Sequence, residues 1–155
     1  MKKTILAMMV LSLVVISSCN KSTPNPGGSW TFKSTTYNTT TCASNGSNLT
    51  ATNVTTSNTT TYGTLSVSFY STLPTTNGTY TVNNFAHSAS QVSLEITTDG
   101  GTGSNYTSTG GNGAETVSVT VSNGKVSVSG SGITMGNNIT TADSSAVNFN
   151  ITQTQ

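Results

Sequence analysis

The chain has 155 residues; Thr, Ser, Asn and Gly dominate it with 33, 24, 17 and 15 copies, while only 6% of residues are charged and Arg is absent. Five Lys in all cannot build the cationic patch that displaces counterions from phosphates, which excludes nucleic-acid binding. The scarcity of Ala, Leu, Glu and Lys excludes a helical bundle, and one His with four carboxylates leaves little for acid–base or metal chemistry.

Lys2 and Lys3 open the chain, an apolar run follows from Ile5 to Ile16, and Ser17, Ser18 and Cys19 close it. That run is shorter than the ~20 residues a membrane-spanning helix needs. A charged start, a short apolar stretch and small residues are the layout of a secretory signal. Ile16-Ser17-Ser18-Cys19 resembles the bacterial lipobox, an aliphatic residue and two small ones before Cys. The resemblance implies diacylglyceryl transfer to the Cys19 sulfur, cleavage before Cys19, and acylation of the new amine, for instance by palmitate. An ordinary signal cut elsewhere would leave Cys19 as a loop residue. Each buried CH₂ of an acyl chain contributes roughly 0.8 kcal/mol, so two or three chains anchor stably where one does not. The expected division is a signal peptide over 1–18, a Pro/Gly-containing tether over 19–29 and one domain over 30–155. The tether cannot pack, and its ten residues after Cys19 reach at most ~35 Å. In many lipoproteins an Asp after the Cys retains the protein in the inner membrane; Asn20 stands there instead, which implies outer-membrane sorting.

From Trp30 onwards the apolar residues recur with period two rather than 3.6. Leu65, Val67 and Phe69 alternate with Ser; Val92, Leu94 and Ile96 alternate with Ser93 and Glu95. Val117, Val119 and Val121 form a third such run, and Val147, Phe149 and Ile151 a fourth. Each run presents an apolar face and a hydroxyl or amide face, as antiparallel sheets wet on one side do. Asn123-Gly124 is the favoured pair for a two-residue type I′ turn. It sets Ser122 opposite Lys125, Val121 opposite Val126 and Val119 opposite Val128, with every Val pair on one face. Asn77-Gly78 is expected to mark another turn, and Pro74 and the glycines at 100–103 and 110–113 mark loops.

Strands are expected near 29–37, 48–55, 63–71, 79–85, 91–97, 104–108, 115–122, 125–130 and 146–153, with a further short one allowed around Ile133. This predicts an all-β fold: a single antiparallel β-sandwich of about eight or nine short strands, or a barrel-like closed sheet. Leu, Ile, Val and Phe make up only 22 of the 137 residues from Cys19, a fraction shared with disordered chains. Phased alternation and a net charge near −1 over that segment argue for a folded domain instead.

Chemistry has few places to reside. His87, in Phe85-Ala86-His87-Ser88, reads as a loop or strand-end residue. The carboxylates are Glu95, Asp99, Glu115 and Asp143, and Glu95 points outward if Leu94 and Ile96 point in. Asp99 and Glu115 flank Gly-rich loops and are candidate ligand contacts. Two carboxylates fall short of the six to eight oxygens that calcium takes unless backbone and Asn oxygens join them, so no metal and no cofactor is expected. Cys42 is the thiol left after lipidation; it is either a small buried hydrophobe or a group that reacts or pairs between chains. Trp30, Tyr37, Tyr62, Tyr70, Tyr80 and Tyr106 are candidates for a sugar-stacking platform. Among them Trp30 and Tyr80 read as core by phase, and Tyr70, next to inward Phe69, reads as outward. Tyr70 and Tyr106 join Asp99 and Glu115 as candidate ligand contacts.

The signal, the short tether and the Thr/Ser/Gly-rich β-domain together resemble small lipoproteins of Bacteroidota. The similarity runs from Leu65 to Ile151. It rests on Gly78-Thr79-Tyr80-Thr81-Val82, on Asn105-Tyr106-Thr107-Ser108 with Gly110-Gly111, and on Val117-Ser118-Val119-Thr120. The hairpin Gly124-Lys125-Val126-Ser127-Val128-Ser129-Gly130 and a final apolar strand complete it. The resemblance implies a fold and an address in the cell envelope, not an activity. The expected function is a lipid-anchored, non-enzymatic binding or structural module, held to the membrane by acyl chains on Cys19. Its partner would be a glycan or an envelope protein. The alternatives are a glycan-binding surface lipoprotein and a subunit of a surface fibre, since Thr/Asn-rich strands with few edge charges can pair edge to edge.

Overall fold

A computed structural model of the protein describes residues 27–53, 62–98, 104–110, 113–140 and 142–154. The signal segment, Cys19, most of the tether and Asp99 lie outside the described residues. Eleven strands follow one another: β1 (Gly28–Phe32), β2 (Thr35–Asn38), β3 (Thr41–Asn45), β4 (Asn48–Asn53), β5 (Gly63–Phe69), β6 (Gly78–Val82), β7 (Gln91–Thr98), β8 (Ser104–Ser108), β9 (Thr116–Ser122), β10 (Lys125–Asn137) and β11 (Ser144–Thr152). They form one sheet in the order β2-β1-β11-β10-β9-β6-β7-β5-β4-β3, with β8 bridging β10 and β7.

The structure is therefore almost all β, with more strands than the sequence suggests. The stretch 29–37 is two strands, because Lys33 and Ser34 both take positive φ (47° and 63°) and reverse the chain. β3 is an additional strand, paired to β4 from Thr41↔Thr52 to Asn45↔Asn48 across Gly46-Ser47. Gly46 has φ +62°, the left-handed first position that a type II′ turn requires. β10 runs past Gly130 and absorbs the short strand around Ile133. Asn77-Gly78 is not a hairpin turn: Gly78 opens β6 opposite Val119, and Asn77 Oδ1 accepts a hydrogen bond from Val121 N at 2.7 Å.

The sheet is mixed rather than wholly antiparallel. β6 and β7 run parallel, but only over Thr81↔Gln91 and Val82↔Val92. A parallel neighbour normally needs a long crossover. Here the overlap is so short that residues 83–90 only sidestep, and β7 continues where β6 ends. The Asn123-Gly124 hairpin has the register its turn chemistry predicts, with Lys125↔Ser122, Val126↔Val121 and Val128↔Val119. Asn123 and Gly124 take φ of 52° and 72°.

β10 borders three strands because it bends. Its pairing with β11 steps from Gly130↔Phe149 to Ile133↔Val147, so β10 carries one extra residue, a β-bulge. Asn148 Oδ1 holds the bulge, accepting from Ser131 Oγ (2.8 Å) and Gly132 N (2.9 Å). Before the bulge β10 pairs β9; after it, Met135 to Asn137 pair β8. The pairings β10–β9–β6–β7–β8–β10 close a circuit, while β2 and β3 end the sheet order.

The alternating residues form one core that includes Trp30, Leu65, Val67, Val92, Leu94, Ile96, Val117, Val128, Val147 and Ile151. Strands distant in the sheet order meet inside it. Trp30 and Tyr37 stack at 3.8 Å and face Gly63 of β5, where an added Cβ would lie 2.8 Å from both rings. Phe32 of β1 meets Tyr106 of β8 edge-on at 4.8 Å. The sheet thus folds its apolar face over on itself, and each large side chain so buried contributes roughly 1.5–3 kcal/mol. The C-terminal residues lie along β3. Thr154 N donates to Cys42 O (2.7 Å), and Cys42 N donates to Thr154 Oγ1 (3.0 Å). Gln153 N and Lys125 Nζ tie the same tail to β10, through Val126 O and Thr154 O.

Candidate functional site

The ionisable side chains decide what chemistry is open to the domain. Lys33, in the β1–β2 turn, donates to Asp143 Oδ1 and Oδ2 at 2.7 and 2.8 Å and to Tyr106 Oη at 2.7 Å. Tyr106 Oη donates to Asp143 Oδ2 at 2.9 Å, and Asn137 Nδ2 lies 3.3 Å from the same oxygen. The ammonium also sits 4.5 Å from the Tyr106 ring centroid. Partial burial pulls the Lys33 ammonium down, but its hydrogen bonds to Asp143 and Tyr106 outweigh that and raise its pKa. The Lys33 and Tyr106 hydrogen bonds hold the Asp143 carboxyl below its ordinary value. Both groups are therefore locked in their charged forms across neutral pH. They fasten the β1–β2 turn to the β10–β11 connection and are not poised to move a proton.

Glu115 is not a solvated loop charge. It is half-buried, and its Oε1 accepts from Thr134 N (3.0 Å) and Thr134 Oγ1 (2.6 Å), which clamps the start of β9 to β10. Its Oε2 is buried and has no hydrogen-bond partner among the described residues. Asp99, its expected companion, lies outside the described residues. Among the described residues no group of three or more His, Cys, Asp and Glu could hold a metal. Glu95 is exposed between buried Leu94 and Ile96, as the alternation predicts. His87 sits exposed in the β6–β7 loop, 6.4 Å from the Phe85 ring. Cys42 is a free thiol with no exposed surface, and burial pushes it up to about 12. It is a small hydrophobe of the core, the plainer of its two readings.

The aromatic candidates separate. Tyr106 is 4% exposed and belongs to the core beneath Phe32, so it is not an outward ligand contact. Its strand, Ser-Asn-Tyr-Thr-Ser, has no apolar residue two positions away to reveal its phase. Trp30 and Tyr37 are also buried. Tyr70, by contrast, is 56% exposed, as its place after inward Phe69 predicts. Tyr80 is half-buried and stands edge-on against Phe69 at 5.3 Å.

Tyr70 and Tyr80 line one groove of about 210 Å³, together with Leu73, Pro74 and the hydroxyls of the β5–β6 loop. A second groove of about 330 Å³ shares Phe69 with it and carries Phe85. Phe85 is 65% exposed; the strand expected near 79–85 ends at Val82, which leaves Phe85 in the β6–β7 loop rather than at a strand end. A scan against protein-family models finds no match, and neither the curated proteins nor the solved structures contain a significant one.

Proposed function

We propose that the protein is a lipid-anchored component of the bacterial cell envelope whose domain is a non-enzymatic binding or structural module. In this reading the segment 1–18 is removed, and acyl chains on Cys19 hold the protein to the outer membrane. The folded sheet is read as a β-sandwich, supported by the packing of Gly63 against Trp30 and Tyr37 and of Phe32 against Tyr106.

The observation that carries the non-enzymatic reading is the use made of charge. Lys33, Lys125, Glu115 and Asp143 each hold strands, turns or the C-terminal tail together. What faces solvent is largely hydroxyl and amide, a surface suited to recognition by hydrogen bonding. The N-terminal lipobox pattern supplies the address.

Metabolic labelling with a palmitate analogue tests the anchor. The wild-type protein carries the label and sediments with membranes, and Cys19→Ala removes both properties. An unlabelled wild-type protein, or a labelled Cys19→Ala variant, would overturn the reading.

A further inference from the structure

We infer that the groove between Tyr70 and Tyr80 is a saccharide subsite that takes a neutral sugar ring, with Tyr70 as its stacking platform. The inference rests on the binding-module reading and names the ligand class and the place.

A sugar ring presents an apolar C–H face and a rim of hydroxyls. Its complement is an exposed aromatic face bordered by groups that both donate and accept hydrogen bonds. Tyr70 offers such a face, and it is held at the end of β5 because Phe69 beside it is anchored in the core. Tyr80 lines the same groove, its ring edge-on to Phe69 at 5.3 Å. Gly78 keeps space for that ring, since a Cβ there would lie 3.2 Å from Tyr80 Cε2. Ser71, Thr72, Thr75 and Thr76 supply hydroxyls around the two rings.

Among the described residues that line the groove, none carries a charge. Phosphorylated, sulfated or carboxylated ligands would meet no cation there: Lys33 is paired with Asp143, and Lys125 is bonded to Thr154 O. A neutral ligand is the one this wall can satisfy. The adjoining groove extends the footprint beyond one ring. It shares Phe69 and places exposed Phe85 beside Asn84, Ser68, Ser93 and Thr107, with the Glu95 carboxylate at its border, a group that disfavours anionic ligands further. Two exposed rings in adjoining, hydroxyl-lined grooves fit an oligosaccharide better than a single sugar.

The full chain, purified in detergent micelles, is screened against neutral glucan, mannan, galactan and xylan oligosaccharides, with sulfated dextran as the anionic comparison. At least one neutral class is expected to bind. Tyr70→Ala is expected to weaken that binding by about tenfold or more, the scale of losing one aromatic anchor. Tyr70→Phe keeps the ring and is expected to stay within about twofold of wild type. Thermal melting of both variants should match wild type, because the ring is exposed. Neutral-sugar binding that survives Tyr70→Ala would overturn the groove assignment and leave the binding-module reading standing. Failure of every neutral class, or preference for sulfated dextran, would overturn the ligand class. Palmitate labelling of Tyr70→Ala should equal that of wild type, so the anchor is judged separately.

Discussion

Lys33 shows how a chain with few charges spends them. It occupies a left-handed backbone position, φ 47°, that a Lys does not favour. Its ammonium is then held by two Asp143 oxygens and the Tyr106 hydroxyl. The pair is partly exposed, 39% and 35% for the two side chains, so solvent screens it and its net contribution is modest. Its pH dependence follows from the two shifts. The Asp143 pKa is depressed in the folded state, so its contribution is present above the unfolded carboxylate pKa and is lost as pH falls through the folded value. The Lys33 pKa is raised, so its contribution is present below the unfolded lysine pKa and is lost as pH rises through the folded value. Asp143→Asn should therefore lower the melting temperature slightly at pH 7. Melting curves collected towards pH 2 should show the gap between wild type and variant closing. A gap that stays constant down to that pH would show that the carboxylate charge is not what fastens the turn.

Among the elements, β5 carries the strictest alternation, buried at every second residue from Gly63 to Phe69. Gly63 is there because Trp30 and Tyr37 occupy the space a side chain would need. Gly63→Ala should cost roughly 1–3 kcal/mol by overpacking, measured by denaturant unfolding; an unchanged midpoint would mean that the two rings are not seated against β5. The same period-two logic made β5, β7, β9 and β11 legible in the sequence, and the turn residues Asn123-Gly124 fixed a whole hairpin register. What was not legible has particular causes. Lys33-Ser34 carries no Gly or Asn to announce a turn, and its positive φ values are supported by the distant Asp143. β3 has one strongly buried apolar side chain, Cys42, too little for a phase to be seen. Gly130-Ser131-Gly132 resembles a turn in sequence, yet it forms a bulge because Asn148 satisfies it from the neighbouring strand. At the candidate site, the outward face of Tyr70 followed from its neighbour Phe69. The burial of Tyr106 depends on Phe32 of β1 packing against it, a tertiary fact with no local signal. Edge pairing into fibres also looks different once the tail is placed, because Gln153 and Thr154 already occupy part of the β3 edge.

The whole domain reaches a packed core from a composition that resembles low complexity. Most of its few Leu, Ile, Val and Phe residues fall at the positions that the folded sheet encloses, with Trp30, Tyr37, Tyr106 and Met135 packed among them, while Phe85 and Ile139 are exposed. Thr and Ser coat the outside, where β-branched Thr favours strands and both hydroxyls keep the surface wet without charge. Such a surface suits a protein held at a membrane by acyl chains that recognises neutral, hydroxyl-bearing partners. The anchored part of that reading depends on how the chain begins after processing. Intact-mass spectrometry of the protein extracted from cell membranes addresses this most directly. The predicted result is a chain starting at Cys19 that carries a diacylglyceryl group on sulfur and, in the fully processed form, an acyl group on the amine. A mass that corresponds to cleavage elsewhere, or to an unmodified Cys19, would contradict it.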